Sequence, residues 1–234
     1  MAVNLLKGEQ KGEEHSARSP LQQVPVLEFE DKLSGGQLVQ LTQSAAIITF
    51  LEENFPRGGT LFPADPVQKA RALEYFEMVN AGTQPLQNLA TCKGIDAAAG
   101  AGGAAEDGKG IGRKFGGGAI AAGLAALEGL AKSHGSFSGS GGSFLCGPAP
   151  TVADAALVPQ LFNARRFGVD LEATCPGLLK VEAACSAHPW FVSAHPEQQH
   201  DAVPPPAGAA AAAVGEKRAG EADGGAGGGK KVRA

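Results

Sequence analysis

The chain has 234 residues, among them 34 Gly and 15 Pro, and a formal net charge of −4. That length allows one large domain or two small ones, and a mildly negative charge gives no global reason to expect nucleic acid or an anionic membrane surface as a partner. The longest apolar stretches fall far short of the roughly 20 residues needed to cross a bilayer, and the first ten residues lack the long apolar core of a secretory signal.

In chain order, residues 2–6 and the VPVLEF stretch at 24–29 read as strands. A third strand, QLVQL at 37–41, follows DKLSGG, whose Gly pair marks a turn. TQSAAIITFLEENFP then reads as a helix. Ile47, Ile48, Phe50 and Leu51 share one face, Thr42 to Ser44 offer capping chemistry, and Pro56 ends it. RGGTLFPADP is a linker, and beyond it the pattern is all helix. Asp65-Pro66 is a helix start, and Ala72, Tyr75, Phe76 and Val79 follow the i, i+3, i+4, i+7 spacing of a buried face. Pro85 interrupts the continuing pattern, which predicts a kink there.

Residues 94–118 are rich in Gly, Ala and Asp and nearly devoid of large apolar residues. They read as a mobile low-complexity insertion. Helical signal returns at AIAAGLAALEGLAKSH, in PTVADAALVPQLFNARRF and in PGLLKVEAACSA; from about 202 the chain is a low-complexity tail with no expected fold. The predicted layout is therefore a small α/β unit at 1–56, a linker at 57–64, an all-helical unit at 65–201 and a disordered tail at 202–234.

Several local patterns carry chemistry. Pro25 opens a strand, which suits an edge position or a cis peptide that would turn the Val24 backbone outward to pair with an extended peptide ligand. Gln43-Ser44, between strand and helix, reads as a helix cap that also faces free N–H groups toward a carboxylate. Thr151-Val152-Ala153-Asp154 matches a capping box and is assigned no chemistry. Arg165 and Arg166 are adjacent on a helix and point different ways, so one faces solvent while the other could bind a carboxylate bidentately. Lys217-Arg218 and Lys230 to Arg233 form two basic clusters at bipartite nuclear-import spacing, a pattern also common in solvated tails. The five histidines, His188 and His195 included, form no pair with convincing metal-ligand spacing. Cys92, Cys146, Cys175 and Cys185 lack CxxC spacing and read as reduced thiols of a cytosolic-type compartment, with neither a disulfide framework nor a zinc site.

Taken in order, NLLKGEQ, QVPVLEF, LTQSAAIITFLEE, LFPADPVQKARA, TQPLQNL, LAALEGL, APTVADAALVPQLFNARRFGVDLEATCPGL and AHPEQQHDA resemble the zeta-class glutathione transferases, the family of maleylacetoacetate isomerase. The resemblance covers most of residues 3–201 outside 94–118. It implies an α/β thioredoxin-like domain, here partial, followed by an all-α glutathione-transferase domain, with glutathione as cofactor. It places Val24, before a cis Pro25, against the cysteinyl part of glutathione. Gln43 and Ser44 would hold the γ-glutamyl carboxylate, and Gln10, Gln84 and Asn88 would make further glutathione contacts. Arg166 would recognise a carboxylate of a small diacid substrate.

The implied reaction is the cis–trans isomerisation of maleylacetoacetate to fumarylacetoacetate in tyrosine and phenylalanine breakdown, in the cytoplasm, with a homodimer as the family's usual assembly. The sequence departs from the family at several points, one being Ser19, where the resemblance implies an Asn before the VP strand. No Ser-Ser-Cys segment, which in the family stabilises the thiolate, occurs, so no catalytic residue is assigned. The family's first strand and helix have no counterpart ahead of VNLL, which predicts an incomplete sheet that folds poorly. The Gly116 to Gly118 run replaces an aromatic-rich segment and is expected to weaken its helix. A non-catalytic binding or dimerisation module, nuclear through its tail, and a glutathione transferase acting on α-halo acids are the alternatives.

Overall fold

The computed structural model describes residues 2–5, 7–31, 35–55, 58–100, 110–138 and 142–202. The basic clusters at 217–218 and 230–233, nearly all of the predicted tail, and Pro56 lie outside the described residues. The chain divides into two compact units, 1–191 and 192–234.

The first unit opens with a 3-10 turn at Glu9–Lys11 and a short helix α1 (Glu13–Arg18). Strands β1 (Val26–Asp31) and β2 (Gln37–Thr42) form a two-stranded antiparallel sheet with register from Val26↔Thr42 to Asp31↔Gln37. The turn between them carries Gly35 and Gly36 at φ 79° and 80°, a left-handed backbone that glycine adopts without a Cβ clash. Helix α2 (Ser44–Asn54) follows. Among the described residues of the strand expected at 2–6 no strand forms: residues 2–4 are irregular and Leu5 is in a turn. Asn4 instead pairs locally with Glu9. Asn4 N donates to Glu9 Oε2 at 2.7 Å, and the Asn4 carbonyl accepts from Glu9 N at 3.2 Å.

The helical part comprises α3 (Pro66–Asn80), α4 (Gln84–Gln87), α5 (Leu89–Ala98), α6 (Ile111–Ser133), α7 (Val152–Arg166), α8 (Leu171–Thr174), α9 (Pro176–Ala187) and α10 (Pro189–Ala194). Ala72, Tyr75, Phe76 and Val79 are the buried residues of α3, as their spacing predicts, and the Asp65 side chain caps the helix by accepting from Gln68 N at 2.8 Å. The core is built from α3, α6, α7 and α9 around Tyr75, Ile120, Leu124, Leu127, Leu157, Leu161, Leu178 and Val181. Two helix starts, those of α9 and α6, are capped by side chains of other helices. Glu128 of α6 accepts from Gly177 N and Leu178 N of α9, both at 2.9 Å, and Asp96 of α5 accepts from Gly112 N at 2.8 Å.

Ala45 and Ile48 of α2 pack with Leu61 and Phe62 against Ala72, Phe76 and Val152. Glu52 accepts from Thr60 Oγ1 at 2.6 Å and from Leu61 N at 3.1 Å, fastening the linker to α2. In the second unit, Gln199 Nε2 donates to the carbonyls of Ser193 and His195 at 3.0 and 3.1 Å.

Two expectations in the middle of the chain change. The predicted kink at Pro85 is a full break: α3 stops at Asn80, α4 is a single turn with Pro85 in its first turn, and Asn88 (φ −57°, ψ 141°) separates α4 from α5. Proline fits the start of a new helix because its missing N–H would be unpaired there anyway. Of the region 94–118, read as a mobile insertion, residues 94–98 end α5 and residues 111–118 form the first two turns of α6, while 101–109 lie outside the described residues. Gly112 and Gly116 sit at close approaches between elements. A Cβ on Gly112 would stand 2.0 Å from the Cys92 carbonyl oxygen, and one on Gly116 would stand 2.8 Å from the Phe167 ring and 3.3 Å from the Gln87 Cα. Gly118, by contrast, meets nothing within 4 Å. Gly118→Ala is therefore expected to stabilise the chain by about 0.5–1 kcal/mol, the helix-propensity difference, as a rise in the urea midpoint.

Candidate functional site

The sheet register assembles the first group of predicted site residues. Because the ladder begins at Val26↔Thr42, the residues just before β1 and just after β2 meet at the same end of the hairpin. Val24 and Pro25 precede β1, and Gln43 and Ser44 follow β2. The Val24–Pro25 peptide is cis, and Val24 is 43% exposed with its peptide groups outside the ladder. Gln43 sits at the N-cap of α2, as its place between strand and helix predicts, with φ 72° and no side-chain cap hydrogen bond. Its carbonyl accepts the first helical bond, from Ile47 N at 3.1 Å. The N–H groups of Ser44 to Ala46 therefore have no partner within the helix, and they lie at its electropositive end.

The loop ahead of Val24 is held from α1. His15 is buried, and its Nε2 donates to the Gln23 carbonyl at 3.0 Å, while Gln23 N donates to Ser19 Oγ at 3.2 Å. Sequence reading missed this role, because a lone histidine in a polar stretch gives no sign of its tertiary partner. Gln10 lies in the 3-10 turn, half-buried, and its Oε1 is buried with no hydrogen-bond partner among the described residues.

The second group gathers around the N-terminal half of α6. Gln84 begins α4 and is exposed; Asn88 caps α5, its Oδ1 accepting from Ala90 N at 3.0 Å, which leaves its amide N–H groups as donors. Arg166 ends α7, exposed, with Nη1 3.4 Å from Asn163 Oδ1 and in no ion pair among the described residues. Arg165 is the committed member of the pair: it forms a bidentate bridge to Glu182 of α9 at 2.6 and 2.5 Å. Arg113 of α6 donates to the Arg166 carbonyl and lies over the Phe167 ring, 4.7 Å from its centroid. Gly116 faces both Phe167 and Gln87, so the α4 turn and the Arg166 end of α7 approach the same point of α6.

The cysteines offer no nucleophile here. All four are free; burial pushes the thiols up, Cys146 and Cys185 to about 12 and Cys175 to about 11, while Cys92 is also raised. Among the described residues no cluster of His, Cys, Asp or Glu could hold a metal ion, and no helix is long and apolar enough to cross a membrane.

Comparison with known proteins gives the family. Residues 105–196 match the glutathione S-transferase C-terminal domain. A maleylacetoacetate isomerase from Rhizobium meliloti (strain 1021) is 39% identical over 199 residues, covering 84% of this chain and 83% of its own. The crystal structure of maleylacetoacetate isomerase from Anaeromyxobacter dehalogenans 2CP-1, with glutathione in its active site, is 43% identical with a TM-score of 0.68, covering 87% of this chain and 85% of that one. A maleyl pyruvate isomerase, a bacterial glutathione S-transferase in the zeta class, is 34% identical with a TM-score of 0.71 and 87% coverage of both chains. With this identity sustained over more than four-fifths of both chains, and with the glutathione-transferase helical core in place, the chain belongs to the maleylacetoacetate isomerase family of zeta-class glutathione transferases.

Proposed function

We propose that this chain binds glutathione and catalyses the cis–trans isomerisation of maleylacetoacetate to fumarylacetoacetate, a step of tyrosine and phenylalanine breakdown. The reading is carried by one juxtaposition: the Val24 peptide, outside the ladder beside a cis proline, lies next to the open N-terminus of α2. A tripeptide thiol with a free carboxylate fits such a place. Its backbone can pair with Val24 as an added strand does, and its γ-glutamyl carboxylate suits the Ser44 hydroxyl, the Gln43 amide and the free amides of α2. Gln10, with its unpartnered Oε1, and the exposed Gln84 and half-buried Asn88 are the remaining polar groups for it. Bound glutathione supplies a thiolate that permits rotation about the conjugated double bond and is regenerated.

The protein's own contribution is orientation. Arg166 has a guanidinium uncommitted to any ion pair among the described residues, and it holds a carboxylate of the diacid. Positioning the diacid in this way replaces a bimolecular encounter by a fixed geometry.

Arg166→Ala is expected to raise the KM for maleylacetoacetate by about 10- to 100-fold, the loss of a charge-assisted pair of about 1.5–3 kcal/mol, with the dissociation constant for glutathione unchanged. Steady-state kinetics beside calorimetry checks it. An unchanged KM removes Arg166 from the site. Arg165→Ala, which breaks the Glu182 bridge instead, is expected to lower stability and leave that KM alone.

A further inference from the structure

Gln87 and Gln160 are 73 residues apart and form a buried amide pair. Gln87 Nε2 donates to Gln160 Oε1 at 2.6 Å, and Gln160 Nε2 donates back to Gln87 Oε1 at 3.3 Å. The two residues are only 4% and 3% exposed. Gln87 is the last residue of α4 and Gln160 lies in the middle of α7.

The α4 turn needs such an anchor. It has four residues and is cut off from both neighbouring helices, by the turn at 81–83 and by the extended ψ of Asn88. A single helical turn is marginal by itself. Its own backbone bonds are long, Leu86 N to the Thr83 carbonyl at 3.2 Å and Asn88 N to the Pro85 carbonyl at 3.4 Å. Around it, Thr91 Oγ1 donates to the Pro85 carbonyl at 2.8 Å and Cys92 Sγ to the Gln87 carbonyl at 3.6 Å. Those two bonds tie α4 to α5, its immediate successor in the chain. The pair with Gln160 is the side-chain hydrogen bond that ties it to the core helix α7.

We propose that the Gln87–Gln160 pair is a positioning device for glutathione binding. By locking the α4 turn onto α7, it fixes the directions in which Gln84 and Asn88 present their amides. The inference rests on the proposed glutathione site and adds residues that touch neither ligand nor reacting atoms. Buried amides paired face to face set one rotation of the turn. Apolar side chains of similar length would fill the same space without selecting that rotation.

The test is the double variant Gln87→Met/Gln160→Met, compared with Gln160→Met alone. The double variant removes both amides together and leaves neither unpaired, so it is expected to fold; the single one strands a buried amide. Glutathione affinity is measured by calorimetry, kinetics by turnover of maleylacetoacetate, and the turn itself by amide hydrogen exchange over residues 84–92. In the double variant, exchange at 84–92 is expected to speed up while the core segments of α6 and α9 stay protected. The glutathione dissociation constant is expected to rise by about tenfold, as is the KM for glutathione. Turnover at saturating glutathione and the KM for the diacid are expected to stay within about twofold. Glutathione affinity unchanged in the folded double variant overturns the inference, as does unchanged exchange at 84–92. A wild-type chain that binds no glutathione overturns the proposed function and this inference together; wild-type binding with an indifferent double variant overturns this inference alone.

Discussion

Asp154→Ala is expected to destabilise the chain by about 3–5 kcal/mol, more than any other single truncation considered. Asp154 is the third residue of α7, fully buried, and its carboxylate closes three hydrogen bonds. Oδ2 accepts from Thr151 N at 2.7 Å and from Thr151 Oγ1 at 2.9 Å; Oδ1 accepts from Leu145 N at 2.9 Å. The first belongs to the capping box that starts α7. The last reaches nine residues back and holds the 144–147 loop against the helix. Burial pushes the carboxyl above the usual aspartate range, and the three donors pull it partly back. Alanine would leave the buried N–H groups of Leu145 and Thr151 and the Thr151 O–H without their acceptor, each a cost of about 1–3 kcal/mol before relaxation. Urea unfolding of the folded fraction measures the loss, which corresponds to a fall in Tm of roughly 10 °C for a chain of this size. Asp154→Asn keeps one acceptor oxygen and is expected to lose about half as much. A loss under about 1 kcal/mol for the alanine variant would mean that the box is only a surface-style cap.

Gly112→Ala is the second large effect. The added methyl would stand 2.0 Å from the Cys92 carbonyl oxygen, 2.6 Å from its carbon and 2.7 Å from its Cα. These are backbone atoms of α5, so no side chain can swing aside. The helices must separate, which strains the Asp96 cap on Gly112 N and loosens the α5–α6 contact. A cost of about 3 kcal/mol is expected, at the upper end for overpacking. Beside it, Gly118→Ala in the same helix should go the other way. Opposite signs for two identical substitutions six residues apart would establish that close approach to α5 decides the effect at Gly112 and helix propensity the effect at Gly118. Equal effects would reject that reading.

These two sites also show where the sequence was legible. The capping box could be read from Thr151 and Asp154 because its pattern is local: four consecutive residues, one hydrogen-bonding logic. The buried face of α3 was legible for the same reason. Gly112 and Gly116 were not, since a helix former's view of glycine is only a propensity penalty, and what offsets it is another helix a few ångströms away. Residues 2–6 misled in the opposite sense. Their apolar alternation suits a strand, but a strand exists only with a partner to pair with, and here the segment closes on Glu9 instead.

The candidate site divides similarly. Val24, Gln43 and Ser44 stand in short local motifs, and the sheet register brings the residues flanking β1 and β2 to the same end of the hairpin. The His15 anchor, the Gln87–Gln160 pair and the Arg165–Glu182 bridge were not, because each joins residues whose adjacency only the fold creates. Arg165 and Arg166 illustrate the limit. The sequence says that neighbouring arginines diverge on a helix, and only the position of Glu182 on α9 decides which one is spent in an ion pair.

The most direct measurement is calorimetric titration of the full purified chain with glutathione, with maleylacetoacetate turnover followed in parallel. Saturable one-site binding, abolished or strongly weakened by Ser44→Ala combined with Gln43→Ala, together with glutathione-dependent formation of the trans product, is the expected result. A folded chain that shows neither binding nor turnover would contradict the proposed function and leave the helical core as a scaffold without this chemistry.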